Sequence, residues 1–198
     1  MIKVSLTGKA NSGKNLTAEL LAELLETEGF TPCCFMAFAD PIKEMAKIAF
    51  PDIPEEWLYG SSTHRNQIIP GAFKDGVPLT VRQLLIDIGN DFGRKYNPNI
   101  WIDNFGSRFI HEVGNGAELV ICSDGRFRNE FDYLKGLGFY QARILRNSHT
   151  KINDVSETDQ DGILDSEFDF IIDNNGTKED LERQVKIIAD NLLDHDFQ

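Results

Sequence analysis

Short apolar runs alternate with stretches of helical spacing along much of the chain. Ile2–Leu6 is typical of a buried strand, and LTAELLAELLETEG after it carries apolar residues three and four positions apart, which predicts a helix that stops at Gly29. Pro32–Phe38 is a second such run, and Asp40-Pro41 then supplies an N-cap with proline at the first helical position. Two successive strand–helix units predict an α/β fold with a parallel sheet.

The second half of the chain repeats this pattern. We expect helices for VRQLLIDIGNDFGRKY after Thr80, with Phe92 on the apolar face, and for residues 100–113. Three further strands are predicted in ELVICS, FYQARILR and FDFIIDN, and Thr177 caps a last amphipathic helix, KEDLERQVKIIADNLL. Five strands are therefore expected in the sheet.

Two stretches lack this pattern. Residues 51–79 hold four of the seven prolines and show no clear periodicity, so we expect an irregular insertion there, or a flap. Residues 147–167 are polar and irregular, and we interpret them as a lid-like segment. A length of 198 residues with 41% hydrophobic content suits one well-filled core, so the whole chain, 1–198, is predicted to be a single domain with these additions.

The formal net charge is −12, which argues against binding to nucleic acid polymers or to an anionic membrane surface. From Thr150 onward there are 14 acidic and 4 basic residues, which leaves a balance of only −2 for the first 149 residues. The arginines of that first part are numerous enough to line a site for a small anionic ligand. A phosphate-bearing metabolite therefore fits the charge distribution better than a polymer.

Cysteine use and the apolar pattern suggest a compartment. Cys33, Cys34 and Cys122 all lie in predicted strands without C-x-x-C spacing, which is typical of buried, reduced thiols. The first residues lack the features of a signal peptide, and no run of 18 apolar residues occurs. We therefore expect a soluble, cytoplasmic protein.

The sequence GKANSGKN, residues 8–15, has the frame of a phosphate-binding P-loop, and it follows a predicted strand and opens a predicted helix. Gly8 and Gly13 allow a tight turn that faces backbone N–H groups toward a phosphate, and the helix adds the positive end of its dipole. Lys14 would then bridge the β- and γ-phosphates. The alternative is a glycine turn that merely joins strand to helix, with Lys14 solvated.

The position after Lys14 should be Ser or Thr, whose hydroxyl binds Mg²⁺, but it is Asn15. The amide oxygen of Asn15 could bind the metal or a metal-bound water. Asp124 follows the apolar run ELVICS, as a Walker B carboxylate would, and could orient Mg²⁺ or its water shell. The alternative for Asp124 is a helix N-cap.

Five segments together resemble the phage-type deoxynucleoside monophosphate kinases, a branch of the P-loop kinases. They are TGKANSGKNLTA, FADPIKEM, TVRQLLIDIGNDFGRKYNPNIWI, VICSDGRFRNE and SEFDFIIDNNGTKEDL, in family order and covering most of the chain. That family usually carries an acidic residue after Gly-Lys, so Asn15 departs from an already unusual pattern, and Asn90, Gly125 and Arg128 depart elsewhere. The resemblance implies a three-layer P-loop kinase fold with a mostly parallel five-stranded sheet and helices on both faces.

The resemblance also implies an activity. Such an enzyme uses Mg²⁺ and transfers the γ-phosphoryl of ATP to the 5′-phosphate of a deoxynucleoside monophosphate (dNMP), giving ADP and the diphosphate (dNDP), in phage nucleotide biosynthesis in the host cytoplasm. Its partners are the small molecules dNMP and ATP, and the family suggests a homodimer. The accepted bases and the oligomeric state stay open.

Residue roles follow from the same resemblance. Residues that bind ATP phosphates would be Asn11, Ser12, Gly13, Lys14, Asn15, Leu16 and Arg146. Arg146 is favoured over Arg143 as the arginine that stabilises charge on the transferring group. Residues at the acceptor would be Ala10, Asp40, Ile42, Lys43, Arg65, Arg82, Arg94, Trp101 and Arg126. Catalytic roles would fall to Lys14, Arg65, Asp124 and Arg126, with Asn15 and Asp124 at the metal.

Several of these residues have structural alternatives. Arg65 and Arg128 could be solvated arginines, and Trp101 could belong to the core. Gly89 and Gly93 could serve helix packing as well as close approach of a ligand. Three other functions also stay open: a different small-molecule P-loop kinase, such as one resembling dephospho-coenzyme A kinase; a nucleotide-gated binding protein that hydrolyses ATP slowly; and an inactive nucleotide-binding domain, which Asn15 would explain.

Overall fold

The computed structural model describes residues 1–61, 63–147 and 160–196. The strands in these ranges, numbered in chain order, are β1 Ile2–Thr7, β2 Cys33–Met36, β3 Ile68–Lys74, β4 Val77–Thr80, β5 Leu119–Cys122, β6 Tyr140–Leu145 and β7 Phe170–Asp173. The α-helices are α1 Lys14–Thr27, α2 Asp40–Ala49, α3 Glu55–Tyr59, α4 Val81–Ile86, α5 Ile100–Gly114, α6 Arg128–Gly136 and α7 Lys178–Asp196. A π-helical stretch, Asp87–Arg94, continues α4, and short 3₁₀ turns occupy His64–Asn66, Gln160–Gly162 and Asp165–Glu167.

The backbone divides into two compact units. One, called the sheet unit below, combines residues 1–37 with residues 106–198. The other, called the middle unit, is Phe38–Phe105. The single kinase domain expected over 1–198 stays a prediction.

The sheet unit contains a five-stranded parallel sheet in the order β2-β5-β1-β6-β7. β1 lies at its centre, with Val4 paired to Ile121 of β5 and to Tyr140 of β6. All five strands were expected from the sequence, and helices flank the sheet. The predicted α/β fold of the P-loop kinase type is therefore confirmed.

The main core of the sheet unit lies on one face of the sheet. Val4 and Leu6 of β1 are at most 1% exposed and pack with Leu25 of α1 and with Val185 and Leu192 of α7. Alternation along the strand directs Ser5 and Thr7 to the opposite face. β1 therefore contributes apolar side chains to one face of the sheet and polar side chains to the other.

The opposite face has a smaller apolar cluster. Phe131 of α6 packs with Ile163 and Phe168, and its ring meets that of Phe168 edge to face at 5.0 Å. Arg143 of β6 lies on this face, with its guanidinium 5.2 Å from the Phe168 ring. Residues 160–168 are therefore packed on this face of the sheet.

The middle unit forms a second core around Ala46, Leu58, Ile69 and Leu84. The irregular structure expected for residues 51–79 is wrong in part, since this stretch contains α3 and an antiparallel β3–β4 hairpin. Asp75 and Gly76, both with positive φ (52° and 81°), form the two-residue turn between these strands. Such a turn matches the twist of paired strands, which explains the hairpin.

Three local predictions also need correction. Helix α2 begins at Asp40, so Ala39 and not Asp40 is its N-cap. Phe92, placed on the apolar face by a 3.6-residue period, is 51% exposed because the π-helical stretch changes the phase. Cys33 and Cys34 are half-buried, since β2 is an edge strand, whereas Cys122 is buried as expected.

The predicted caps at two helices are confirmed. The Thr80 hydroxyl accepts a hydrogen bond from the Gln83 N–H at 3.2 Å, and the Thr177 hydroxyl accepts one from the Asp180 N–H at 3.2 Å. Within the described residues, no helix is long and apolar enough to cross a bilayer.

Candidate active site

The glycine loop, residues 8–15, joins the carboxyl end of β1 to α1. A Cβ at Gly8 would lie 2.6 Å from the Ser12 hydroxyl and 2.8 Å from the Ile144 carbonyl oxygen, so only glycine fits there. Asn11 and Gly13 have positive φ, 61° and 100°. The backbone therefore makes the tight turn that the glycine spacing predicts.

Helix α1 begins at Lys14 with Gly13 as N-cap, and its first turn holds no acidic residue. In the described chain no side chain caps this helix start, so the positive end of the dipole is left for an anion. Lys14 Nζ donates to the carbonyl oxygens of Gly8 at 2.5 Å and Lys9 at 2.8 Å. Its ammonium thus lies over the loop itself.

Other predicted donor-site residues belong to the same loop. Asn11, Asn15 and Leu16 are exposed, and Ala10 is half-buried. Ser12 is 1% exposed, and its Oγ has no hydrogen-bond partner in the part of the chain that the structure describes. A buried hydroxyl without a partner suits a loop that binds a polar group.

Asn174, just beyond β7, is a loop contact that the sequence prediction missed. Its Nδ2 donates to the Ser12 carbonyl oxygen at 2.7 Å, and the residue is 8% exposed. The polar run Asp173-Asn174-Asn175 at the end of an apolar strand was the available signal, because ligand sites lie at the carboxyl ends of parallel strands.

Asp124 follows β5, whose neighbour in the sheet is β1. Since both strands are parallel, Asp124 and the glycine loop follow the same edge of the sheet. The Cys122 thiol donates to Asp124 Oδ1 at 3.7 Å, and burial raises the pKa of this thiol well above its usual value. The thiol therefore stays protonated and keeps its donor role.

The start of α6 excludes the N-cap alternative for Asp124. The N-cap is Phe127, and Glu130, 2% exposed, accepts hydrogen bonds from the N–H groups of Arg126 at 2.8 Å and Phe127 at 3.2 Å. The backbone at half-buried Arg126 is thereby fixed close behind Asp124.

Arg128 has a structural role. It pairs with Asp132 and with Glu167, each at 2.9 Å, and the hydrogen bonds to these two carboxylates raise its pKa. The alternative of a solvated helix arginine agrees with this exposed position.

Arg143 and Arg146, the two candidates for a charge-stabilising arginine, differ in their surroundings. Arg143 Nη1 donates to the Ile163 carbonyl oxygen at 2.8 Å and pairs with Asp165 at 2.7 Å, so it holds residues 160–165. Arg146 is exposed just after β6. The preference for Arg146 stays a prediction. Most of the proposed lid, residues 148–159, lies outside the described residues.

In the middle unit, two predicted acceptor arginines come from adjacent elements. Arg65 is half-buried in the turn His64–Asn66. Arg82, on the first turn of α4, donates from Nε to Asn66 Oδ1 at 3.0 Å. The Val81 N–H also donates to the Gln67 carbonyl oxygen at 3.0 Å. The turn that carries Arg65 is therefore fixed against the start of α4.

Three more predicted acceptor residues open α2. Lys43 Nζ lies 3.2 Å from Asp40 Oδ1 and 4.9 Å from the centre of the Tyr59 ring. Ile42 is 6% exposed, and a Cβ at Gly89 would lie 3.2 Å from its Cδ1. Ile42 thus packs α2 against the π-helical stretch, while the ammonium group of Lys43 lies next to the Asp40 carboxylate.

Trp101 packs on the π-helical stretch. It is 3% exposed, its Nε1 donates to the Gly89 carbonyl oxygen at 2.8 Å, and its ring occupies the space that a Cβ at Gly93 would need. Helix packing therefore accounts for Gly89 and Gly93, which was one of the two alternatives for these glycines. The contact of Trp101 with a base stays a prediction. Arg94 Nη1 donates to Asn90 Oδ1 at 3.3 Å.

The deoxynucleotide monophosphate kinase family model matches residues 59–185 of the chain. The chain belongs to this family. A protein of Acanthamoeba polyphaga mimivirus, provisionally described as a deoxynucleotide monophosphate kinase, is 28% identical over 200 residues, which cover 96% of this chain and 97% of the viral protein. The family predicted from the five segments is confirmed.

As a deoxynucleotide monophosphate kinase, the protein is a phosphotransferase whose substrates are small nucleotides. The family match begins at residue 59, after the glycine loop. The functional interpretation of residues 8–15 therefore depends on the geometry above, since these residues lie outside the family match.

The described residues, with their gaps at 62 and 148–159, contain no group of three or more His, Cys, Asp or Glu side chains able to hold a metal. The predicted protein ligands are only Asn15 and Asp124. A donor set this small fits Mg²⁺ that arrives with nucleotide phosphates and keeps several waters, the usual arrangement in phosphotransferases.

Proposed function

We propose that this kinase transfers the γ-phosphoryl group of ATP to the 5′-phosphate of a deoxynucleoside monophosphate, giving ADP and the diphosphate. The observation that carries the proposal is the glycine loop of residues 8–15, which opens α1 and is covered by Lys14 Nζ. The family supplies the acceptor class, and the loop supplies the argument for a triphosphate donor.

The donor phosphates would be held by backbone N–H groups of residues 11–16 and by Lys14. Three features support this assignment: the steric requirement for glycine at position 8, the uncapped start of α1 and the buried Ser12 hydroxyl. Asn15 and Asp124 would hold Mg²⁺ and its waters. When bound, Mg²⁺ neutralises charge on the β- and γ-phosphates.

The acceptor phosphate would be bound by arginines. A guanidinium matches two phosphate oxygens at once, and Arg65 and Arg82 come from elements joined through Asn66. Lys43 and Arg94 would add positive charge, Asp40, Ile42 and Trp101 would shape the middle unit around the nucleoside, and Ala10 would lie next to the transferring group.

Phosphoryl transfer between two polyanions requires in-line alignment of the reactants and positive charge that stabilises the transferring group. Lys14, Arg126 and Arg146 would supply that charge on the donor side, and Arg65 on the acceptor side. Residues 147–167 would act as the lid over ATP within a single kinase domain.

We place the enzyme in phage nucleotide biosynthesis, in the host cytoplasm, and the phage-type branch suggests a homodimer. The mimivirus relative supports a viral setting. Which bases the enzyme accepts depends on the side chains that contact the acceptor nucleoside.

A coupled assay of ADP release tests the activity. ATP and Mg²⁺ are supplied with dTMP, dGMP, dCMP, dAMP or modified pyrimidine monophosphates, and with dephospho-coenzyme A as a competing acceptor. We expect rapid ADP release with at least one dNMP and only background release without an acceptor. Release with dephospho-coenzyme A alone would favour the rival kinase, and equal release without any acceptor would favour a slow nucleotide-gated protein.

A further inference from the structure

The Asn174 side chain connects the end of β7 to the glycine loop across 162 positions of the sequence. Its Nδ2 donates to the Ser12 carbonyl oxygen at 2.7 Å in a buried setting. Its own N–H donates to the Leu145 carbonyl oxygen at 2.8 Å, which extends the β6–β7 ladder by one residue. The backbone of Asn174 is therefore fixed to the end of β6, which holds the side-chain amide next to the loop.

This hydrogen bond fixes the orientation of one peptide group. The Ser12–Gly13 peptide is trans, and in a planar trans peptide the C=O and the N–H point in opposite directions. With the Ser12 C=O directed at Asn174, the Gly13 N–H must point away from β7. In the described chain the Gly13 N–H has no hydrogen-bond partner.

The same side chain also explains the residue type at position 13. A Cβ there would run into Asn174 Nδ2, and Gly13 has a φ of 100°, in the left-handed region. The Asn174 amide thus fills the space next to Gly13 where a side chain would otherwise lie. A rotation of this peptide that turned the N–H outward would require the Asn174 amide to leave its position.

We propose that Asn174 is a positioning residue for nucleotide binding: by holding the Ser12 carbonyl oxygen, it directs the Gly13 N–H at a phosphate oxygen of the bound nucleoside di- or triphosphate. The inference rests on the proposed function of the loop and deepens it. Asn174 itself does not touch the nucleotide. Its effect appears only in the affinity for phosphates, through a charge-assisted hydrogen bond from Gly13.

ADP titration by calorimetry compares the parent with Asn174→Ala and Asn174→Asp. We expect Asn174→Ala to bind ADP about tenfold more weakly, a loss of about 1.4 kcal/mol. Asn174→Asp keeps the shape but cannot donate to the Ser12 carbonyl oxygen, so it should bind at least as weakly. KM for the dNMP at saturating ATP should stay within twofold of the parent for Asn174→Ala.

Gln184→Ala is the matched control. Gln184 accepts from the Asp173 N–H and donates to the Asp173 carbonyl oxygen, both at 2.9 Å, so its loss weakens the end of β7 without touching the loop. We expect its ADP affinity to stay within twofold of the parent. An equal loss in Gln184→Ala and Asn174→Ala would assign the effect to the strand and overturn the inference.

The Gly13 amide signal in a ¹⁵N–¹H correlation spectrum gives a readout that general destabilisation does not mimic. Saturating ADP should shift it strongly downfield in the parent and less in folded Asn174→Ala or Asn174→Asp. Equal shifts and equal affinities would overturn the inference while the donor site stands. Absence of any ADP binding by the parent would overturn the donor site, and the inference with it.

Discussion

Lys14 donates a hydrogen bond from Nζ to the carbonyl oxygen of Gly8 at 2.5 Å, so its side chain connects the two ends of the glycine loop. Under the proposed function, this ammonium lies beside the site of the ATP phosphate groups. Binding would exchange carbonyl oxygens for phosphate oxygens, and the charge would act on the transferring group, not only on the loop.

Replacing Lys14 by Ala should lower kcat/KM by on the order of a hundredfold or more, because a charge that stabilises the transition state is lost. The coupled ADP assay with the preferred dNMP measures this change. Lys178→Ala is the control, since Lys178 is an exposed residue of α7 paired with Glu182, and it should retain full activity. Unchanged dNMP-dependent ADP release in Lys14→Ala would show that the loop assignment is wrong.

Gly13→Ala should abolish nucleotide binding and lower the free energy of unfolding. Two costs combine: a left-handed φ for alanine, about 1–2 kcal/mol, and the collision with Asn174 Nδ2. Urea unfolding and ADP titration measure them.

Gly29→Ala isolates the collision. Gly29 has a similar φ of 96°, but a Cβ there meets nothing within 4 Å. This variant should show the backbone cost and bind ADP normally. If the two variants lost equal stability and both bound ADP, the space around Gly13 would not be restricted as the structure describes.

Asn15→Ser restores the hydroxyl that most P-loop enzymes use for Mg²⁺, and it should raise the apparent affinity for Mg²⁺ in the kinase assay. Asp124→Asn should do the opposite, because a neutral amide attracts the metal or its waters less strongly. Activity measured across a Mg²⁺ titration separates the two. An unchanged Mg²⁺ dependence in Asn15→Ser would remove Asn15 from the set of metal ligands.

Arg65→Ala should raise KM for the dNMP at least tenfold and leave KM for ATP within twofold, since the acceptor phosphate would lose a bidentate partner. Steady-state kinetics with each substrate varied in turn provide the test. Arg183→Ala, an exposed arginine of α7, serves as the control and should change neither constant. A rise in KM for ATP instead would move Arg65 to the donor side.

Local signals in the sequence were sufficient for the sheet and the glycine loop. Each of the five parallel strands is an apolar run bounded by turn residues. The tight turn of the glycine loop is determined by the spacing of Gly8 and Gly13, within a segment of eight residues. The β3–β4 hairpin was missed because Pro70 and Gly71 interrupt its alternation, although Asp75-Gly76 is a strong turn signal.

Contacts between distant segments could not be predicted in this way. The bond from Asn174 to Ser12 spans 162 positions, and no residue near either end specifies the other. The π-helical phase that exposes Phe92 and leaves the Gly89 carbonyl oxygen to Trp101 likewise depends on tertiary packing. Sequence patterns thus indicate which strand ends carry the site, whereas packing determines which side chains hold its geometry.

Cys33 gives a test at high pH. Burial, with the nearby Glu26 carboxylate, raises the pKa of the Cys33 thiol to about 12, compared with a usual value of 9.0. Between these two values the unfolded chain loses the proton and the folded chain keeps it, so the stability contribution is complete below pH 9 and falls as the pH rises toward 12. Urea unfolding at pH 8 and pH 10 should show a larger loss of stability in the parent than in Cys33→Ser, whose hydroxyl does not titrate in this range. The difference between the two proteins cancels the other groups that titrate there. Equal losses in both would mean that the Cys33 thiol ionises as readily in the folded protein as in the unfolded chain.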